Sequence, residues 1–121
     1  MRKILYSPGY GAGWTSWADS SDEAKFAIDY APIIEFLEGG GVFVERPWGR
    51  AHKGADAFEE PGRSVLKKFE EDLAAHLGKD HVYFYLGGAR DLQVAVVNGP
   101  VRINEYDGFE SVEEPGDAQY L

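Results

Sequence analysis

Leu92-Gln93-Val94-Ala95-Val96-Val97-Asn98-Gly99-Pro100-Val101-Arg102-Ile103-Asn104-Glu105-Tyr106-Asp107-Gly108-Phe109-Glu110-Ser111-Val112 is the stretch whose reading decides the fold. Two β-rich runs flank Asn98-Gly99, and both of those residues tolerate positive φ, so the pair predicts a hairpin. Asp107-Gly108 predicts a second turn, leading into Phe109-Glu110-Ser111-Val112. Pro100 fits the start or the edge of its strand, where no amide is missed. Just upstream, His81-Val82-Tyr83-Phe84-Tyr85-Leu86 reads as a further strand, with Gly87-Gly88-Ala89-Arg90 as its turn. This half of the chain therefore reads as an antiparallel meander of three or four strands.

The half before it is mostly helical. Lys3-Ile4-Leu5-Tyr6 is a short strand that Ser7-Pro8-Gly9 ends, because proline gives the ladder no amide and glycine turns freely. Asp19-Ser20-Ser21-Asp22 offers capping oxygens, and Ala24, Phe26, Ala27 and Tyr30 follow at helical spacing. Pro32 predicts a break near Tyr30-Ala31 and a second short helix to Glu38, with Gly39 as its left-handed cap. Val42-Phe43-Val44-Glu45 reads as a strand, and residues 46–62 as an irregular connection. Ser64 is the expected N-cap of the strongest helix, whose stripe is Val65, Leu66, Phe69, Leu73 and Leu77, with Gly78 as the stop. Helices segregated from a meander argue an α+β fold: one domain over 1–121, mostly antiparallel sheet, with two to three helices on one face. Residues 113–121 are expected to form a loose acidic tail.

The chain has 121 residues, 44% of them hydrophobic and 27% charged, which suits a globular domain. No apolar run approaches the roughly 20 residues of a membrane helix, and the apolar part of the N-terminal segment is too short for a signal peptide. There is no cysteine, which removes disulfides and thiolate chemistry and fits a reducing cytoplasm. The net charge is -9, and six acidic residues with no Lys or Arg fall between Ile103 and Leu121. Such a field disfavours nucleic-acid polymers as partners. It suits either a solvated, solubilising end or a basic protein partner.

Tyr6-Ser7-Pro8-Gly9-Tyr10-Gly11-Ala12-Gly13-Trp14-Thr15-Ser16-Trp17 carries the main functional expectation. Gly9, Gly11 and Gly13 follow a strand, but the spacing is G-x-G-x-G and the lysine and hydroxyl of a P-loop are missing. A Rossmann or Walker site is therefore disfavoured. Successive amides of a glycine loop can still form a concave anion site, and Tyr10, Trp14 and Trp17 can stack on a base. Trp14 and Trp17 can equally fill the core beneath the helices. Ser7 sits on the sharp turn into this loop, without the G-x-S-x-G context of a nucleophile.

Ile4-Leu5-Tyr6-Ser7-Pro8-Gly9-Tyr10-Gly11-Ala12-Gly13-Trp14, followed by Trp17, resembles the opening of a group of small proteins encoded by tailed bacteriophages. Pro32-Ile33-Ile34-Glu35-Phe36-Leu37-Glu38 and Arg102-Ile103-Asn104-Glu105-Tyr106-Asp107-Gly108-Phe109-Glu110-Ser111 are similar to two further blocks of that group. Residues 44–63 run longer than the group suggests. The resemblance implies a phage origin, the host bacterial cytoplasm, and an accessory role of the kind that acts against host defences. It brings no catalytic residues with it.

Arg46-Pro47-Trp48-Gly49-Arg50-Ala51-His52-Lys53 is the one locally basic run. Guanidinium groups pair with phosphate and stack on rings, so Arg46, Trp48 and Arg50, with Arg102, join Ser7 and the glycine-aromatic loop as candidate ligand contacts. The alternative for this run is an exposed loop. His52, His76 and His81 lack metal-ligand spacing. Glu105, Asp107 and Glu110 are weak candidates for a divalent ion and a metal-dependent hydrolase. No cofactor is called for. The leading expectation is a non-enzymatic anti-defence protein that sequesters a small nucleotide-like signalling ligand, with a homodimer as one way to complete the pocket. The alternative is an acidic inhibitor that binds a host defence or nucleic-acid-binding protein directly.

Overall fold

β1 (Arg2–Tyr6) pairs antiparallel with β2 (Gln93–Val97), with Leu5 opposite Val94. β3 (Arg102–Tyr106) and β4 (Phe109–Glu113) form a separate two-stranded sheet in which Tyr106 lies opposite Phe109. The computed structural model describes residues 2–9, 13–48, 52–106 and 109–113. The expected turn at Asp107-Gly108 and the expected tail beyond Glu113 lie outside them. The architecture is α+β.

The pairing differs from the expected meander. Asn98-Gly99 does not close a hairpin, because β2 pairs with β1 and β3 with β4. Burial explains the choice. Ile4, Leu5 and Val97 are fully or almost fully buried in the β1–β2 pair, whereas β3 is mostly exposed along its length. A local hairpin with β3 would give β2 little apolar area to cover, and strand register follows the buried face. Ile4 and Leu5 are consecutive, so they point to opposite faces; both are fully buried, so both faces of β1 are covered. Val42–Glu45 also forms no strand. It contributes one isolated bridge, from Glu45 to Phe58. Residues 81–86 join no ladder, yet they keep a strand's alternation: Val82, Phe84 and Leu86 turn inward while His81, Tyr83 and Tyr85 stay exposed.

α1 (Ser21–Ile28) starts at Ser20, whose Oγ accepts from the Glu23 amide and donates to the Glu23 carboxylate. This is a side-chain variant of the capping box. α2 (Ala31–Glu38) carries Pro32 in its first turn, where no amide is missed. Its expected cap is displaced by one residue: Gly39 has φ -78, and Gly40, at φ +92, takes the left-handed conformation. α3 (Gly62–Leu77) begins two residues before Ser64, with Pro61 at its N-cap, and ends at Gly78. The Ser64 amide instead donates to the Glu60 carboxylate at 2.8 Å, which meets a first-turn donor from outside the helix. The stripe holds as expected, with Leu66, Phe69 and Leu73 fully buried.

The core is a single cluster drawn from every helix, β1 and the irregular segments. At its centre Trp14, Phe69 and Phe84 surround one another, with ring centroids 4.8–5.2 Å apart. Tyr30 packs edge-on to Phe69 at 5.1 Å and donates its hydroxyl to Asp72 at 2.6 Å. Burial first, then this hydrogen bond and the Asp72 charge, push the Tyr30 hydroxyl well above the usual tyrosine range.

Candidate functional site

The amides of Ser7, Trp14 and Ser16 converge on a side chain of the protein itself. Glu110, on β4, is 0% exposed. Its Oε1 accepts from the Ser7 amide at 2.8 Å, and its Oε2 from the Trp14 and Ser16 amides at 2.7 and 2.9 Å. The Ser16 hydroxyl also donates to Oε2. The Glu110 amide in turn donates to the Ser7 carbonyl at 2.8 Å. A buried carboxylate is costly unless its lone pairs are met, and here four protein donors meet them. Gly13 is needed for this closeness: a Cβ there would lie 2.5 Å from Ser16 Oγ and 3.1 Å from Glu110 Oε2. Gly13 thus serves the close approach of the backbone to the Glu110 carboxylate.

The other expected contacts disperse. Ser7 is fully buried, and its hydroxyl donates to the Gly88 carbonyl. Trp14 is 0% exposed and donates Nε1–H to the Ala27 carbonyl at 3.0 Å, so its ring belongs to the core and offers a ligand no face. Gly9 lies against the Asp91 side chain. Arg46 donates to the Asp56 carbonyl at 3.0 Å. Trp48 is 87% exposed, at φ +63. Arg102 is exposed on β3, opposite Glu113. Tyr10, Gly11 and Arg50 lie outside the described residues. Of the carboxylates considered for a metal, Glu110 is held by the loop, Glu105 accepts from Trp17 Nε1 at 3.3 Å, and Asp107 is not described. Among the described residues no group of three or more His, Asp or Glu side chains could hold a metal ion.

A different cavity has the form of a binding site. A cleft of about 570 Å³ opens between residues 52–58, α3 and residues 81–87. Phe58, Phe84 and Leu86, all buried, form its apolar base, and Tyr83 and Tyr85 stand along one side. Tyr83 is 74% exposed. Tyr85 is braced by Trp17, with ring centroids 5.1 Å apart, so one ring of the opening loop supports this wall from behind. Gly87 lets the Tyr85 ring lie over the backbone, since a Cβ there would fall 2.4 Å from its hydroxyl. His52, Lys53 and His81 bring nitrogen to the cleft, and Glu45 and Glu70 bring carboxylates. An apolar cavity of this size with a few polar groups is the usual form of a small-molecule site.

Glu70 is the most deliberately placed of these polar groups. It accepts from the Ala55 amide at 3.3 Å through Oε1. Its Oε2 occupies the space that a Cβ on Gly54 would take, 2.4 Å from the ideal position, and Gly54 itself has φ +55. Burial pushes the Glu70 carboxyl up, offset in part by the Ala55 hydrogen bond. Asp56 and Glu71 push it further up, while Lys67 pulls it down. Lys67 is already paired with Asp56 at 3.0 Å. Glu45 lies 3.8 Å from the Arg90 guanidinium.

Glu70, His81, Tyr83 and Tyr85 did not stand out in the sequence. One signal for three of them was present: the alternation in 81–86 sets His81, Tyr83 and Tyr85 on the outward face. Glu70 had no such signal, because a glutamate beside an apolar stripe reads as an ordinary solvated position.

The chain matches no protein-family model, no curated protein and no solved structure. Among the described residues no helix is long and apolar enough to cross a membrane.

Proposed function

We propose that the protein binds and sequesters a small nucleotide-like ligand, and that it does so in the cleft beside Tyr83 and Tyr85. The observation that carries this reading is the union, in one 570 Å³ cavity, of an aromatic wall with His52, Lys53 and His81. These cationic or protonatable groups gather locally in a chain of net charge -9. A base stacked on a tyrosine contributes about 1–3 kcal/mol, and Lys53 supplies the charge a phosphate needs. The bacteriophage resemblance of the sequence gives the setting: an anti-defence protein in the host bacterial cytoplasm that removes a signalling nucleotide from circulation. Calorimetric titration against cyclic dinucleotides, ADP-ribose derivatives and nucleoside monophosphates tests it. At least one should bind, and Tyr83→Ala and Lys53→Ala should each weaken binding by about tenfold, or 1.4 kcal/mol. A folded sample that binds none of them would overturn the reading.

A second reading, direct inhibition of a basic host protein, is favoured by one surface. β3 presents the exposed Tyr106 within the segment from Ile103 to Leu121, which carries six acidic residues and no Lys or Arg, an acidic setting suited to a basic partner. Recovery of one host protein in a pull-down, lost in high salt and on Tyr106→Ala, would support it. Binding that is unchanged by either would refute it.

A further inference from the structure

We propose that two copies of the chain pair through residues 81–85, strand against antiparallel strand, about a two-fold axis. The inference rests on the backbone of this segment and holds or fails independently of what the cleft binds.

Backbone hydrogen bonding is the observation that carries it. Residues 81–86 keep a strand's alternation, with Phe84 and Leu86 buried and Tyr83 and Tyr85 exposed. Yet among the described residues no backbone amide or carbonyl of residues 81–85 makes a hydrogen bond. On either side the chain is bonded: the Lys79 amide donates to the Ala74 carbonyl at 2.9 Å, and the Leu86 carbonyl accepts from the Ala89 amide at 3.0 Å. Main-chain donors and acceptors require partners, and a row of them at strand spacing is a template for another extended chain. Natural proteins blunt such an edge with charge or proline. His81-Val82-Tyr83-Phe84-Tyr85-Leu86 contains no Lys, Arg, Asp, Glu or Pro.

The same absence of charge selects a second copy as the occupant. About a two-fold axis each residue meets its own kind or a near neighbour, and like charges set opposite one another are destabilising. In a chain with 27% charged residues and a net charge of -9, this run brings no such charge to the axis. The register is restricted as well. Residues opposite one another in an antiparallel pair share a face, so outward residues must meet outward residues. Tyr83 then lies opposite its own counterpart or opposite Tyr85 of the second copy. Tyr83, 74% exposed, gains an aromatic neighbour in either register, and cross-strand aromatic pairs are stabilising. Tyr85 is already packed against Trp17, so the ring that Tyr83 would meet is a held one.

Sedimentation equilibrium and amide hydrogen exchange on the full chain test this. At about 100 μM the wild type should sediment at twice the 13.4 kDa of one chain, and dilution should dissociate it. In the dimer every second amide across residues 81–85 should exchange slowly, because successive amides of a strand point to opposite edges, and the slowing should vanish on dilution. Tyr83→Lys changes an exposed position, so the fold should hold, as circular dichroism would check. It sets like charges at the axis and should weaken dimerisation about tenfold or more. Tyr83→Asp should do the same, and an equimolar mixture of the two variants should recover a dimer. A wild type that stays monomeric at that concentration with freely exchanging amides would overturn the inference. So would a dimer that survives Tyr83→Lys, a dimer whose 81–85 amides all exchange freely, or a mixture no more dimeric than either variant alone. A monomer with slowed amides would overturn it too, because the segment would then be covered within its own chain. Wild-type exchange decides on its own if a variant fails to fold.

Discussion

Replacing Glu110 by alanine should be among the most damaging single changes available to this protein, and the reason is not lost apolar area. The carboxylate holds three backbone amides, those of Ser7, Trp14 and Ser16, and one hydroxyl. Removing it strands three donors that no strand or helix can take over. Each buried donor without a partner costs about 1–3 kcal/mol, which gives roughly 3–9 kcal/mol for three. Two effects reduce this. The desolvation of the carboxylate is no longer incurred, and Ser16 is exposed, so water can reach its amide. The expected net loss is about 3–5 kcal/mol. For a chain of this size that corresponds to roughly 10–20 °C in melting temperature. Urea unfolding at neutral pH, followed by tryptophan fluorescence, measures it directly, because Trp14 sits in the core. Glu110→Gln should cost less: its one oxygen can serve the position of Oε2, leaving the Ser7 amide facing an NH₂ group. Ser16→Ala removes a single hydroxyl donor and should cost less again, about 1 kcal/mol. A loss below about 1 kcal/mol for Glu110→Ala, with an unchanged denaturant slope, would refute the claim that the loop depends on this carboxylate.

Two further outcomes follow from the same geometry. Trp14→Phe removes ring area from a fully buried site and leaves the Ala27 carbonyl without its donor, and should cost about 2–4 kcal/mol. Trp17→Phe, at a position 38% exposed, should cost under about 1 kcal/mol and separates the two rings in a thermal melt. Glu70 adds a pH dependence whose sign is fixed by its raised carboxyl. Between its ordinary and its folded value the native state holds the proton more tightly than the unfolded chain, so stability falls as pH rises through that window and stays lower above it. The stability difference between Glu70→Gln and wild type should therefore shift in the variant's favour from about pH 4 to pH 7. Chemical denaturation at both pH values reads this, and a shift of opposite sign would contradict the burial of Glu70.

The helices were legible because their signals are local. Ser20 before Asp22-Glu23, Pro32 in a first turn, and the stripe from Val65 to Leu77 each specify a helix through neighbours three or four residues away. The sheets were less legible because pairing is not local. Asn98-Gly99 satisfies the chemistry of a hairpin turn, yet β2 gains more by pairing alongside the buried Ile4 and Leu5 of β1, about 90 residues earlier in the chain. The α+β class survives this because it depends on which segments are helical and not on which strands meet. For the opening loop, the sequence suggests glycine amides that cradle a ligand anion, whereas the amides of Ser7, Trp14 and Ser16 meet a carboxylate of the chain itself. It could not reveal that the charge comes from Glu110, since nothing near position 110 distinguishes that glutamate from Glu105 or Glu113. The cleft was hidden for a similar reason: His52, Glu70 and Tyr83 come from three separate segments and carry no shared spacing.

The Glu110 cradle also bears on how the protein is made. A ribosome delivers Ser7, Trp14 and Ser16 early and Glu110 roughly a hundred residues later. Until β4 emerges, the amides that close around the carboxylate lack it as an acceptor, and joining them then closes a loop of roughly a hundred residues. Trp14 belongs to the same segment, so the loop that carries this core residue is not fixed in this way until β4 has been synthesised. The cradle is completed only once β4 is in place, and nascent chains stalled short of residue 110 should remain open to proteases near Ser7 and Trp14.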